Sequence, residues 1–429
     1  MRIVRMICAA AAGFLMLGGC GIIDAVENAQ GQLFEKTKFQ DDSGYTAIER
    51  AKSVDSEYYE AIPAITHGFD SLYTDSQRKC YGLIGESVYR ISENKGDDGF
   101  YPIGKVCVED KSFTENDMDV SIKAFTMDHP EVFWITNRYT YGTAGNQSVI
   151  QLYSYVGPGD CAAMISELNE RVNSFMAGIP SGLKEYHLEK YVHNTLLDGC
   201  TYAQGVSTAE DGWEEFTSYG AIVRGSAVCE GYAHAIALLL NKVGIDCYYA
   251  NGYGENSPHM WNTVKIYDKW YHLDATWDDN DNAFFNYFNL DDAKIGADHI
   301  IEPKISDVIG SGTLPQVYNL FLPECSSTDA NYFVIESTYI DDFEDARDVM
   351  VSDLINAAND GDEMFTIRFS DDLDFKYALD VMFNAEPYYM FDYIGEANDS
   401  LDSSRRINDE NLAIIMIENF NAVVVKLEY

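Results

Sequence analysis

The stretch SYGAIVRGSAVCEGYAHAIALLLNKVGIDCYYANGYGENSPHMWNTVKIYDKWYHLDATWDD, residues 218–279, decides the fold of this 429-residue chain. It predicts a helix with Ser226 as N-cap that runs to Val243 and ends at Gly244. Cys229 then lies in the first helical turn. Unpaired amides and the positive end of the helix dipole stabilise a thiolate there, and the thiolate is the nucleophilic form of cysteine.

A β-hairpin is predicted after this helix. Residues 260–266 and 270–273 have strand character and flank a two-residue turn at 267–268 or 268–269. The side chains of such strands alternate between the two faces of the sheet. The hairpin therefore decides which polar side chains meet.

His259 and Asp274 are 15 residues apart, and across a two-residue turn an odd separation puts both on one face. With the turn at 267–268, Asp274 lies opposite Trp261 and diagonal to His259, about 7 Å away between backbones. A carboxylate at that distance can orient the imidazole. The pattern predicts Cys229 as nucleophile, His259 as base and Asp274 as the group that orients the base.

Each of these residues has a structural alternative. A lone cysteine on an apolar helix is commonly a small core residue, a lone histidine at a strand start is commonly structural, and an aspartate in an acidic stretch is commonly solvated. The combination of helix start and hairpin favours the catalytic interpretation.

Three blocks of this stretch resemble the motifs of the bacterial transglutaminase-like superfamily: VCEGYA at 228–233, HMWN at 259–262 and WYHLDATWD at 270–278. The resemblance covers about residues 185–290. It implies an α+β, papain-like core in which the cysteine helix packs against an antiparallel sheet bearing His259 and Asp274.

Further residues are assigned to the cleft. The amide of Cys229 is the expected oxyanion donor because it lies at a helix start. Tyr219 is the candidate for a second donor, and its alternative role is an aromatic packed before the cysteine helix. Trp261 and Trp277 are expected to flank the cleft, although aromatic residues at these positions also pack sheets. His272 is expected to point away from Asp274 and to be structural.

The chain starts MRIVRMICAAAAGFLMLGGC, with basic residues, a short apolar run and a lipobox-like 17–20. This predicts a lipoprotein signal peptide over 1–19, lipidation of Cys20 and a tether over 20–55. An ordinary signal peptide or membrane helix is the alternative. The expected location is the cell membrane, lipid-anchored on its extracytoplasmic face.

Three folded regions are predicted: an N-terminal α+β module at 56–156, the transglutaminase-like core at 157–302 and a small C-terminal α+β domain at 303–429. The predicted elements outside the core motifs are a helix at 115–128, strands at 132–135, 139–141 and 148–156, helices at 160–178 and around 188–196, a strand at 332–335, a helix at 343–358, and strands at 364–369, 412–417 and 422–427.

Composition limits the partners. Seventy acidic and 29 basic side chains give a formal charge of −41, which repels nucleic acid and anionic lipid surfaces. The acidity serves solubility or attracts cationic ligands. Besides Cys8 and Cys20 the chain has seven cysteines, so at least one thiol stays free. No HExxH or CxxC motif supports a metal, and no cofactor is expected.

The sequence therefore predicts a cell-surface enzyme that acts through a thioester on an amide of an extracytoplasmic protein or peptide. Transfer to an amine gives a crosslink, whereas transfer to water gives protease or amidase activity. The alternative is a catalytically silent binding or assembly module that retains the fold.

Overall fold

The computed structural model describes residues 65–279, 285–308, 314–315 and 317–429, and three short strands, Ile3–Ile7, Glu35–Lys38 and Ala51–Ser53. Cys20 and most of the predicted tether lie outside the described residues. Strand Ile3–Ile7 lies inside the predicted signal peptide and pairs in parallel with Asn411–Ile417. That strand can exist only in a chain that keeps its first residues.

The chain divides into two compact units. The larger contains Gly19–Asp279 and Leu290–Ser327, and the smaller contains Met1–Gly18, Asn280–Asn289 and Thr328–Tyr429. The predicted N-terminal module and nearly all of the predicted core therefore share one unit, which also takes in 303–327. The finer division into 56–156, 157–302 and 303–429 stays a prediction.

An antiparallel sheet forms the base of the larger unit. Its neighbouring strands are, in order, Lys269–Leu273, Ser257–Ile266, Cys247–Gly254 and His299–Ile301. Tyr267 and Asp268 connect the first two with φ of 48° and 65°. Positive φ at both turn positions is type I′ geometry, which matches the twist of the flanking strands. Ile266 pairs with Lys269, so the predicted turn at 267–268 is confirmed.

The cysteine helix, Cys229–Lys242, packs on this sheet and is buried on nearly every side. Its N-cap is Val228, so the predicted cap at Ser226 is wrong. Ser226 instead pairs with Thr201 in a two-residue parallel ladder, which satisfies its backbone in place of a helix start. Gly244, with φ of 86°, follows the helix end as predicted.

Asn262 joins the cysteine helix to the sheet. Its side-chain amide donates to the carbonyl of Ala233 at 3.0 Å and to the carbonyl of Tyr248 at 3.1 Å. The side chain is 1% exposed, and a polar group so deeply buried is stable only when it is hydrogen-bonded. These two bonds fix the spacing between the helix, at its second turn, and the strand that carries His259.

Other helices, a second larger sheet and two two-stranded ladders complete the described part of the larger unit. Its other helices are His67–Asp70, Asp75–Ser87, Glu115–Asp128, Pro158–Gly178, Glu185–Gly199, Ala209–Gly212, Ala275–Asp278, Asp292–Ile295 and Ile305–Val308. Its remaining strands are Glu35–Lys38, Ala51–Ser53, Arg90–Ser92, Tyr101–Pro102, Val106–Val108, Ile135–Ala144, Gln147–Ser154, Thr201–Tyr202 and Ser226–Ala227, and strand Phe288–Leu290 spans the boundary between the units in the sequence.

The predicted helix at 115–128 is confirmed, whereas the strand predicted at 132–135 begins only at its last residue. Residues 132–134 form a buried turn, in which the amide of Val132 donates to the carbonyl of His129 at 2.9 Å. The indole of Trp134 donates to the carbonyl of Val88 at 3.0 Å. Burial of an apolar run therefore does not require a strand here.

The smaller unit has a five-stranded sheet in the order Ile3–Ile7, Asn411–Ile417, Ala422–Lys426, Met364–Phe369 and Thr338–Ile340. Its helices are Tyr332–Ile335, Arg347–Asp360, Phe375–Leu379 and Tyr389–Ser400. The strand predicted at 332–335 is wrong, because Asn331 caps a helical turn there through the amide of Phe333 at 2.9 Å. None of the described helices is long and apolar enough to cross a bilayer.

Gly231 lies in the cysteine helix where the segment containing Glu215 packs closely against it, and its replacement tests this packing. A Cβ there would lie 2.4 Å from the carbonyl oxygen of Glu215 and 2.9 Å from the Cβ of Ala227. Since neither atom is a flexible side-chain end, we expect Gly231→Ala to lower the free energy of unfolding by about 1–3 kcal/mol, measured by urea denaturation. The control is Gly159→Ala, whose Cβ meets nothing within 4 Å; an equal loss in both variants would contradict the packing argument.

Candidate active site

His259 and Asp274 meet as the hairpin register requires. Asn262 pairs with Leu273, which places Trp261 opposite Asp274 and His259 diagonal to it. Nε2 of His259 donates to Oδ2 of Asp274 at 2.7 Å, and both side chains are buried. The predicted pair is therefore formed, and the carboxylate fixes the orientation of the ring.

Asp274 is held by more than His259. It caps the short helix Ala275–Asp278, and its Oδ1 accepts from the amides of Thr276 at 3.0 Å and Trp277 at 3.2 Å. Burial alone would raise the pKa of Asp274, but the charge and hydrogen bond of His259 hold it well below its usual range. Asp274 is thus a carboxylate at neutral pH.

Cys229 is the first residue of the cysteine helix and is half-buried. Its amide has no partner within the helix because the first helical amides lack an acceptor one turn earlier. Burial lowers the pKa of His259, but the charge of Asp274 and hydrogen bonds to Asp274 and Cys229 raise it to about 10. A protonated imidazole therefore stands between the thiol and the carboxylate.

The other described cysteines differ from Cys229. All are free, and burial raises the pKa of each; for Cys80 it rises to about 12 and for Cys200 to about 11. Only Cys107 among them is half-buried. Cys107 is thus an internal reference for a partly accessible thiol without an imidazole.

Trp261 and Trp277 lie beside His259, with ring centroids 5.8 Å and 5.7 Å from the imidazole. Trp261 is fully buried, as a residue that packs the sheet would be, and the expectation that the two rings flank a cleft stays a prediction. The ring of Trp261 lies nearly parallel to that of His259, at 20°. Its indole donates to Nδ1 of His272 at 3.0 Å. The expectation that His272 points away from Asp274 is wrong, because residues two apart on a strand share a face.

Tyr219 is not placed as an oxyanion donor. Its hydroxyl donates to Glu167, and its ring stacks on Phe133 with centroids 4.8 Å apart. Tyr202, which the sequence did not single out, lies nearer to the chemistry. It pairs with Ala227, two residues before Cys229. Burial first, then the charges of Cys229 and Asp274, raise the pKa of its phenol.

Two clusters of described side chains have the composition of metal ligands, with ligand atoms within 4.8 Å of one another: His259, Asp274 and His299, and His272, Asp292 and Cys325. In the first, two imidazoles donate to Oδ2 of Asp274. In the second, the indole of Trp261 makes Nδ1 of His272 an acceptor, so Nε2 carries the proton and donates to Asp292 at 2.9 Å. In both clusters the histidines donate hydrogen bonds to the carboxylates, so neither cluster is assigned a metal ion.

His299 is the second residue that sequence reasoning missed. It lies 25 residues after Asp274, on the strand at the far edge of the sheet, and donates to Oδ2 of Asp274 at 3.1 Å. No motif or spacing connects it to the hairpin. Its position depends on the pairing of the edge strand His299–Ile301 with strand Cys247–Gly254.

The helix-borne thiol, the imidazole on a neighbouring strand and the buried carboxylate define a papain-like Cys-His-Asp arrangement. Residues 175–275 match the model of the transglutaminase-like superfamily. The chain is α+β and contains a transglutaminase-like core, as the motif blocks predicted. No curated protein matches it.

Solved structures with partial similarity are a TGase (TM-score 0.25, 15% identity, 34% of this chain and 45% of that one), a candidate cysteine protease from Cytophaga hutchinsonii (0.22, 15%, 30% and 51%) and a candidate protease from Parabacteroides distasonis (0.22, 9%, 32% and 35%). This chain spans about half or less of each matched chain.

The raised pKa of His259 predicts a pH dependence of stability. A histidine with a pKa of about 10 in the folded protein and about 6.5 when unfolded stabilises the fold fully below pH 6.5 and loses this contribution as the pH rises toward 10. We expect the urea midpoint to fall between pH 7 and 10, and to fall less in His259→Gln. His187→Gln, on an exposed helix face, should keep the wild-type slope; parallel slopes in all three proteins would refute the assignment.

Proposed function

We propose that this protein is a cysteine-dependent acyl-transfer enzyme that forms a thioester on Cys229. The observation that carries the proposal is the hydrogen-bonded series of a half-buried thiol, an imidazole of raised pKa and a buried carboxylate. The transglutaminase-like core supports the same chemistry. The substrate class is an amide in an extracytoplasmic protein or peptide.

Acylation begins with the thiolate of Cys229 and the imidazolium of His259. The sulfur attacks the carbonyl carbon, and the electron pair of the C=O bond moves to oxygen. When the tetrahedral intermediate collapses, the C–N bond breaks and His259 gives its proton to the leaving nitrogen. Asp274 keeps the ring oriented throughout, since its Oδ2 holds Nε2 and leaves Nδ1 toward the sulfur.

Deacylation reverses these roles. An amine or a water molecule attacks the thioester, His259 takes its proton, and the thiolate of Cys229 leaves. An amine acceptor yields a crosslinked or modified amide, and water yields hydrolysis. The choice depends on access of water to the cleft, so both outcomes belong to the proposal.

Two donors are assigned to the developing oxyanion. The amide of Cys229 points out of the helix start, where the helix dipole also favours negative charge. The phenol of Tyr202 replaces Tyr219 as the second donor, because the charges of Cys229 and Asp274 act on it directly. Trp277 packs beside the imidazole and is the aromatic residue assigned to the cleft, whereas Trp261 is 1% exposed and packs within the sheet.

The proposed location is the extracytoplasmic face of the cell membrane, with a lipid on Cys20. This processing would remove residues 1–19 and with them strand Ile3–Ile7, so Asn411–Ile417 would become the edge of its sheet. The proposed location rests on the lipobox-like residues 17–20 and the short apolar run before them. The net charge of −41 is consistent with a protein partner and opposes nucleic acid. This part of the proposal is independent of the active-site chemistry.

Alkylation of each cysteine by iodoacetamide, followed by mass spectrometry, tests the centre. We expect Cys229 to react at least ten times faster than half-buried Cys107 at pH 7, because of these two thiols Cys229 has the imidazolium of His259 and a helix start beside it. His259→Ala should abolish this advantage and leave Cys107 unchanged. If Cys229 is inert in both proteins, the chain is a binding module that retains the fold.

A p-nitrophenyl ester, as a generic acyl donor, tests the oxyanion assignment. We expect Tyr202→Phe to slow the burst of p-nitrophenolate by about 10²-fold, since one oxyanion donor is lost. Tyr219→Phe is the matched control and should keep the wild-type burst, because its hydroxyl is bound to Glu167. Equal bursts in the two variants would remove Tyr202 from the mechanism.

A further inference from the structure

His299 extends the hydrogen-bonded series beyond the three predicted residues. Its Nε2 lies 3.1 Å from Oδ2 of Asp274, the oxygen that also receives His259. Its Nδ1 lies 2.6 Å from Oδ1 of Asp298, whose side chain is 39% exposed. A series of hydrogen-bonded side chains therefore runs from Cys229 through the buried centre to a carboxylate at the surface.

The partners of His299 define its charge. Ionised carboxylates only accept hydrogen bonds, so an imidazole between Asp274 and Asp298 donates from both nitrogens and is a cation. Burial lowers the pKa of His299, but the hydrogen bonds to Asp274 and Asp298 raise it above its ordinary value. Among the described residues, the titratable groups with the largest effect on it are these two carboxylates and His259, whose ring centroid is 5.3 Å away.

The position of the His299 ring is tightly defined. The ring lies 4.2 Å from the ring of Trp277 and 5.0 Å from that of Trp261. On the neighbouring strand His299 pairs with Gly254, where a Cβ would lie 2.8 Å from Trp277. A glycine at this position thus makes room for the indole that packs on His299.

We propose that His299 is a positioning residue for the acyl-transfer reaction: as a cation it holds Oδ2 of Asp274 and offsets part of the charge with which that carboxylate binds His259. This inference rests on the proposed function. His299 thereby becomes a fourth functional side chain of the site, and Asp298 is the surface carboxylate that helps to keep its imidazole protonated.

The bonding of both His259 and His299 to Asp274 affects how readily His259 releases its proton. His259 must hold a proton beside the thiolate and then release it to the leaving nitrogen, and a general acid works best when its pKa lies near the working pH. An undivided carboxylate would hold the imidazolium too strongly to release that proton. The cation of His299 weakens this hold while it fixes the carboxylate in place.

The test is the pH profile of p-nitrophenyl ester turnover, with iodoacetamide labelling of Cys229 in the same samples. His299→Gln keeps a donor near Oδ2 of Asp274 but removes the charge. Loss of a nearby cation disfavours the thiolate and favours the imidazolium, so both limbs of the profile should move to higher pH by about one unit. A residue that only filled space would change the amplitude and leave both limbs in place.

Asp298→Ala is the second variant, and its half-exposed position makes it safe for folding. Without that acceptor the imidazole of His299 keeps only Asp274 to favour its cation and is protonated less of the time, so the limbs should move in the same direction by a smaller amount. His193→Gln is the matched control, since His193 is buried against Asp278 at 3.2 Å, outside the series; it should keep the wild-type profile.

The outcomes separate the two proposals. If Cys229 of the wild-type protein shows no His259-dependent labelling, the proposed function fails and His299 has no reaction to serve. If that labelling is intact but the limbs stay in place in His299→Gln, or move to lower pH in Asp298→Ala, the role of His299 is refuted and the Cys229 centre stands.

Discussion

The junction between the cysteine helix and the core sheet is the constraint on which the site depends. The thiol belongs to one element, and the imidazole and carboxylate belong to another. Asn262 joins them by two hydrogen bonds, and Gly231 lets the segment that contains Glu215 approach the other side of the helix. An error of 1 Å in this packing would separate sulfur from imidazole, whereas the bond between His259 and Asp274 would survive it.

The buried charges are tolerable because each has a partner. An isolated ion in a protein interior costs several kcal/mol, and removal of one partner leaves the other uncompensated. Asp274 accepts two backbone amides and two imidazoles, so all its lone pairs are used. These hydrogen bonds offset the cost of burying the charges, and they are in place before a substrate binds. Such preorganised polar groups are the condition for electrostatic catalysis.

Burial distinguishes Cys229 from the other described thiols as clearly as its neighbouring imidazole does. Five of the other described thiols are buried, and the half-buried Cys107 has a raised pKa. Two features therefore distinguish the proposed nucleophile: its sulfur is partly accessible to solvent, and an imidazole lies beside it. This also explains how a chain with an odd number of cysteines after its predicted lipidation site can keep free thiols without competing nucleophiles.

Local rules in the sequence determined the central features. Strand alternation and a two-residue turn placed His259 beside Asp274, and the apolar run after Cys229 placed the thiol at a helix start. Both features depend on residues close in sequence, for which periodicity and turn geometry predict the structure well. The same reasoning failed at His272, where the side-chain alternation was assigned incorrectly, and at the strand predicted over 332–335, where the cap formed by Asn331 decides the structure.

Only the tertiary structure decided the rest. The displacement of the helix cap from Ser226 to Val228, the engagement of Tyr219 by Glu167, the approach of Tyr202 and the place of His299 all require a partner far away in sequence. Such a partner leaves no periodic or spacing signal in a single chain. The sequence by itself therefore determined the three residues of the proposed reactive centre, and the fold determined which groups surround and orient it, because those contacts form only when distant segments pack.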